Sequence, residues 1–356
     1  MTSPRTKGGD LHPRSMMRSL SRVGTAGLAA AVTLVTTACT AGTTAPTTTL
    51  TPPASPAASA SASQDSRVIA TIPVGQRPQG LAIDAAGHLA YVANQASDTV
   101  SVIDTVTHAV VATIPVGAEP QDVAVDPMTH TAYVANHTSD TVSIIDTTTR
   151  NVTGTIATRS GPYALAIDPQ AHLLYVTEMN SRIAIIDTTT HEVARRKRIG
   201  VPVDVAADTV AHTAYATSQA EDRLGGIDST SYGKIANIKV GSAPYGVALD
   251  PKAHRAYVTN YPDNTVSVVD TAIRKQIGTI TVGESPTGVA VDPDKGRLYV
   301  VNSRNNTVTV INTITSTVTT TIRVGLTPEG VEVDPSTHLA YVTNAAGDTV
   351  SVLRLR

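Results

Sequence analysis

The chain has 356 residues, 27 Lys+Arg against 29 Asp+Glu, a formal net charge of −2 and 41% hydrophobic residues. That is ample apolar material for a core, and the near-neutral balance argues against a dedicated nucleic-acid surface, which is normally basic. One cysteine excludes a disulfide framework and any Cys₂ or Cys₄ zinc site within the chain. With no Trp and no Phe, the core must be built from Val, Ile, Leu, Ala and Tyr.

Residues 1–38 read as a secretion signal. Arg14, Arg18 and Arg22 precede an apolar, small-residue stretch from Gly24 to Ala38 that is short for a membrane span. Met16 or Met17 is a candidate start, since the signal is complete from there. The stretch ends at Thr37-Ala38-Cys39. This placement of the sole cysteine resembles a bacterial lipobox, with Thr36 standing where Leu is usual, and it marks Cys39 as the expected lipidation site. The expected location is the outer face of the cytoplasmic membrane or the cell surface, with the lipid as the only membrane contact; the alternative is ordinary cleavage near Ala38 with an incidental cysteine, and a secreted protein. Without residues 1–38 the chain has 22 basic and 28 acidic residues, a net charge of −6. Residues 39–66 are nearly all Thr, Ala, Pro and Ser. Such a segment lacks the apolar surface to repay its ordering entropy and is expected to be a disordered tether.

From Arg67 the sequence copies itself. Tyr91, Tyr133, Tyr175, Tyr215, Tyr257, Tyr299 and Tyr341 recur at intervals of 42 residues, with one of 40. A period near 42 with strand-like composition is the mark of a propeller blade. Each unit holds four short runs rich in Val, Ile, Thr and Tyr between Gly, Pro, Asp and Asn clusters. In the first unit these predict strand A at Gly80–Ile83, B at Leu89–Ala93, C at Thr99–Ile103 and D at Val110–Val116. The last unit has A at Gly330–Val333, B at Leu339–Thr343 and C at Thr349–Leu353, and then the chain ends. A D-type run, Val68–Val74, stands before the first A strand. The expected fold over 67–356 is therefore all-β: a seven-bladed propeller of four-stranded antiparallel blades, its ring closed by the N-terminal strand completing the last blade.

The unit carries YVAN at Tyr91 and Tyr133, YVTN at Tyr257 and Tyr341, YVVN at Tyr299, YVTE at Tyr175 and YATS at Tyr215. With the recurring VG-x-x-P-x-G and DTVSVID segments, the chain resembles the YVTN-repeat, YncE-like propellers over all of 67–356. The resemblance implies the fold. For function it implies only a range, from cell-surface and S-layer-associated proteins to periplasmic binding proteins, with a likeness to the propellers of some redox enzymes.

Asp84, Asp126, Asp168, Asp208, Asp250, Asp292 and Asp334 end the A strands. Asp104, Asp146, Asp187, Asp228 and Asp270, with Asn312, follow the C strands. Both sets are expected to bond backbone N–H groups in the following turns rather than a metal. His88, His130, His172, His212, His254 and His338 lie three residues before the blade tyrosines, with Gly296 in the remaining unit. Adjacent sheets pack about 10 Å apart, too far for neighbouring turns to share an ion, so each histidine is expected to bond a nearby Asp or carbonyl. Arg195-Arg196-Lys197-Arg198 falls on an outermost strand, where charge prevents strand addition; a polyanion contact is the second reading.

Function is expected where the copies differ. The D–A and B–C loops should share one face, around the mouth of the central channel. Of four tyrosines outside the blade register (Tyr163, Tyr232, Tyr245 and Tyr261), Tyr163, Tyr245 and Tyr261 fall on these loops, with Arg77, Gln79, Gln95, Glu119, Gln121, His137, Glu178, Arg304 and Glu329. Aromatic anchors among mixed polar groups suit a protein, peptide or envelope glycan. Glu332 replaces an Ala found in the other six units, as a channel-side charge or a strand-end substitution. No G-x-S-x-G, H-E-x-x-H, P-loop, G-x-G-x-x-G or C-x-x-C-H motif is present. The favoured reading is a monomeric binding or scaffold module without metal or cofactor, and nucleic acid is not its expected partner. The alternative is a lactonase-like hydrolase or lyase using His137 with Glu178 or Glu119.

Overall fold

A computed structural model describes Asp65 and Arg67–Leu355. The expected signal segment, Cys39 and the tether up to residue 64 lie outside the described residues. Among those described, 28 strands form seven four-stranded antiparallel sheets. In blade 1 the strands are Pro78–Asp84 (A), Leu89–Asn94 (B), Thr99–Asp104 (C) and Ala109–Pro115 (D). The expected A, B and C runs extend by a residue or two because the flanking Pro, Asn and Asp residues join the ladders, while the D run lies one residue earlier than expected and ends at Pro115.

The ring closes as its repeat order demands. Val68–Pro73 pairs antiparallel with Thr349–Leu353, outside the strands Ala340–Asn344 and Pro328–Val333. Arg67 strengthens this join. Its guanidinium pairs with Asp65 at 2.5 Å and reaches Thr320 and the Thr321 carbonyl on the outermost strand of blade 6.

The core is a set of inter-blade seams. B and C strands alternate between two neighbours, so both faces are buried and their sequence is apolar throughout. Tyr91 packs on Val123, Val125 and Val134 of blade 2, whereas Ala90 and Val92 pack on Tyr341, Val350 and Val352 of blade 7. Six of the repeat tyrosines are fully buried and Tyr215 is nearly so. Two of them staple neighbouring blades through their hydroxyls: Tyr175 to Ser229 Oγ at 2.5 Å and Tyr341 to the Thr105 carbonyl at 3.3 Å. The Asn of the YVTN motif is buried as well. Asn94 Nδ2 donates to Thr99 Oγ1 and Ser101 Oγ, a pattern repeated at Asn136, Asn260, Asn302 and Asn344.

Turn chemistry follows expectation. Asp84, Asp126, Asp168, Asp208, Asp250, Asp292 and Asp334 each accept a backbone N–H from the following turn. The Asp and Asn residues after the C strands do the same. The six turn histidines have φ between 48° and 57°, and Gly296 has φ 59°. The left-handed conformation is what the histidine and glycine positions share, since residues with a short local hydrogen-bonding option or no Cβ tolerate it best. The bond to a nearby Asp or carbonyl expected of every turn histidine is found, among the described residues, for two of the six, and the carboxylate belongs to the preceding blade. His212 Nδ1 lies 2.9 Å from Asp168 and His338 Nδ1 lies 3.1 Å from Asp292. Among the described residues, no group of three or more His, Cys, Asp or Glu side chains is placed to hold a metal ion.

Candidate functional site

Backbone hydrogen bonds divide the loops between two faces. B–C loops bond to the D–A loop of their own blade, as in Gln95 N–H to Arg77 O, His137 N–H to Glu119 O and Tyr261 N–H to Ala243 O. A–B and C–D turns bond to each other on the opposite face, as in Thr105 N–H to His88 O. The sequence-derived candidates on D–A and B–C loops therefore share one side of the ring, around the channel mouth.

Seven innermost strands enclose a cavity of about 490 Å³. Each begins with Pro, and the next residue lies at the rim: Gln79, Gln121, Tyr163, Val203, Tyr245, Thr287 and Glu329. Tyr163 and Tyr245, two blades apart, meet across the mouth with their hydroxyls 2.8 Å apart. His137 stacks edge-on against Tyr163 with ring centroids 6.2 Å apart, and Tyr261 lies 6.0 Å from Tyr245. A band of four rings thus runs across the mouth from blade 2 to blade 5. Tyr163 and Tyr245 are half-buried, while Tyr261 is 41% exposed. Burial raises the hydroxyl pKa of Tyr163 and Tyr245, keeping both protonated as donors.

The other expected residues fall into three groups. Gln79 Nε2 approaches Gln95 Oε1 at 3.4 Å, Thr138 Oγ1 donates to Glu119 Oε2 at 2.7 Å, and Ser303 Oγ donates to Glu329 Oε1 at 3.3 Å. These form a hydrogen-bonded rim, with Gln121 buried against the Glu119 carbonyl and Arg77 close enough to Glu329 to favour its charge. Arg304 is exposed and 3.7 Å from Glu284, outside the ring band. Glu178 is a correction: it does not line the mouth. It stands fully buried in the place of the YVTN Asn, accepting from the Arg159 N–H and from Arg196 Nε at 3.3 Å. Where other blades bury Asn against Ser or Thr, blade 3 buries a Glu–Arg pair.

Below the rim lie acids that sequence reading passed over. Asp122 Oδ1 accepts the Val123 N–H and Oδ2 the Leu165 N–H; Asp204 does the same for Val205 and Val247. Each carboxylate bridges the inner edges of two neighbouring A strands, which have no further strand to pair with. Four of the seven copies have Gly here, where a Cβ on Gly246 or Gly288 would meet the next blade's carbonyl at 2.5 Å. Comparing the seven copies at this position would have singled out both aspartates. Glu332 joins them deeper in the channel, as the channel-side reading expected. Burial pushes Asp204 up to about 6 and Glu332 and Glu329 to about 7, and raises Asp122 well above the usual carboxylate range. All four side chains are surrounded by protein yet half-buried by surface, because the channel admits water. That water softens the shifts without reversing them.

Comparison with known proteins places this architecture. Hydrazine synthase of Kuenenia stuttgartiensis superposes with a TM-score of 0.72 at 20% identity, covering 78% of this chain and 96% of that one. At that identity the likeness is one of fold alone. No curated protein matches the sequence. The sequence profile of the YNCE-like beta-propeller family matches residues 61–252 and 247–354, the whole of the repeat region. With seven Tyr-centred blades and a ring closed between its two ends, the chain belongs to the YNCE-like β-propeller family.

Proposed function

We propose that this protein is a monomeric binding module of the cell envelope, held to the membrane through Cys39 and taking a protein, peptide or envelope glycan at the channel mouth. The observation that carries the reading is the band His137–Tyr163–Tyr245–Tyr261. Rings present large contact area at low entropic cost, and here they cross a rim whose seven equivalent positions hold five residue types. The opposite face repeats the same Asp and left-handed turn in blade after blade, which suits structure rather than selective recognition.

One observation favours the hydrolase or lyase reading: His137 Nδ1 is buried without a hydrogen-bond partner among the described residues. Its expected carboxylate partners are occupied elsewhere, Glu178 by Arg196 and Glu119 by Thr138. A screen of the full chain against envelope glycans, polymers and peptides tests the binding reading. For the ligand found, Tyr245→Ala and Tyr261→Ala should each weaken binding, by about 2 kcal/mol for a central aromatic. As neighbours on one blade they should combine less than additively. His130→Ala and His254→Ala, on the other face, should leave affinity unchanged. Loss of binding on the histidine changes, with the tyrosine changes silent, would refute the site.

A further inference from the structure

The outermost strand of blade 3, Glu192–Arg198, breaks a rule kept by the other six blades. Their outer strands each bury one isoleucine in an inter-blade seam: Ile72, Ile114, Ile156, Ile238, Ile280 and Ile322, all 7% exposed or less. Blade 3 has Lys197 there, opposite Ile183 as the isoleucines lie opposite its counterparts. Two residues earlier the other blades carry Ala70, Ala112, Gly154, Ala236, Gly278 and Thr320, and blade 3 carries Arg195.

Strand alternation fixes where these cations point. Ile199, on the same side of the strand as Lys197 and Arg195, packs with Val205, Ala214, Ala216 and Ile227 of blade 4. On blade 4, Leu224, Ile238 and Val240 pack toward blade 5, so Arg223 and Lys239 face blade 3. Arg223 and Lys239 are direct partners on the ladder, an arrangement of like charges that costs stability. Five of the other blades have Thr in the place of Arg223: Thr99, Thr141, Thr265, Thr307 and Thr349.

Four cations from two blades therefore wall one seam, with Arg195 and Lys239 exposed and Lys197 and Arg223 half-buried. Among the described residues no carboxylate lies within 4 Å of them. Glu178 is bound to Arg196 on the other face of blade 3, Asp222 accepts the Ala243 N–H, and Glu221 is exposed against the Gly200 loop at the seam's end. Here the chain gives up an apolar seam contact and sets like charges together with no carboxylate between them, Arg223 donating to the Asn237 carbonyl at 3.3 Å; a second like-charged pair, Arg182 opposite Arg198, stands on the other face of blade 3.

We propose that the seam between blades 3 and 4 binds a linear phosphate-bearing polyanion, its oxyanions seated between Arg195 and Lys197 on one wall and Arg223 and Lys239 on the other. Guanidinium forks match phosphate oxygens bidentately. Cations on facing walls suit a chain entering between them, whereas a lipid surface would meet only the outermost pair. Of the rings packed into this seam Tyr175 is fully buried and Tyr232 half-buried, a poor platform for stacked nucleic-acid bases.

The test uses the full chain and inorganic polyphosphate of defined length, read by calorimetry across a salt series. Binding should weaken with salt, and the slope of log affinity should fall by about 0.7 for each cation removed. R195A/K197I, which restores the residues of other blades, and R223T/K239T should each cost about tenfold or more in affinity. Both variants should melt no lower than the parent, which separates lost binding from lost fold. Arg323→Thr, at the position of Lys239 on blade 6, should change nothing. Parent-like affinity in the two double variants would overturn the proposal. So would capture by phosphatidylglycerol vesicles or a single-stranded oligonucleotide with no binding of polyphosphate.

Discussion

Alanines at 82, 124, 166, 206, 248 and 290 and a single glutamate, Glu332, occupy one position of the seven innermost strands. The substitution was visible in the sequence, but its energetic meaning depends on where the ring puts it. Inside the channel, burial raises the Glu332 carboxyl to about 7, above the range of an unfolded chain. A group whose pKa rises on folding supports the fold fully below its unfolded value, near 4.3, and that support is lost as pH rises through about 7. Glu332→Ala should therefore gain little at pH 4 and about 1–2 kcal/mol at pH 8. Thermal melts of parent and variant at the two values check this, and an equal gain at both would show that the carboxyl does not titrate as described. Asp122 and Asp204 were legible only by lining up the seven copies, because each looks like an ordinary turn aspartate until the next blade's N–H is seen beside it.

Strand closure is the decisive event at the scale of the element. Val68–Pro73 lies more than 270 residues from its partner, Thr349–Leu353, and was assigned to it because one D strand precedes the first A strand and none follows the last C. Removing residues 1–75 should strip an edge of blade 7 together with Val68 and Ile72, both buried in seams. It should lower the melting temperature by well over 10 °C, since several kcal/mol of apolar burial and a full ladder are lost. Removing residues 1–60 should leave it unchanged. Equal melting temperatures for the two truncations would mean that the ring does not depend on this strand. Glu178 shows the limit of element-level reading. Its place in the YVTE motif was plain, but its partner Arg196 lies on the outer strand, and only the ladder brings the two together.

Over the whole molecule, the proposed anchoring rests on Cys39, outside the described residues. Cys39→Ser should move the protein from the membrane fraction to the soluble one, since two acyl chains suffice for stable attachment; retention in the membrane would refute lipidation there. Blade number, strand order, the closing strand and the two loop faces were all determined by the sequence alone. A 42-residue repeat restricts each unit to the same four strands, and turn residues at fixed offsets punctuate them. Tertiary structure alone decided which rings meet, because Tyr163 and Tyr245 are 82 residues apart and converge only when the seven strands close around one axis. It likewise withdrew Glu178 from the mouth and turned Lys197 inward from what read as an exposed edge. A strand's sequence gives the alternation of its side chains, but which neighbour lies on each side is set by the packing of one blade against the next.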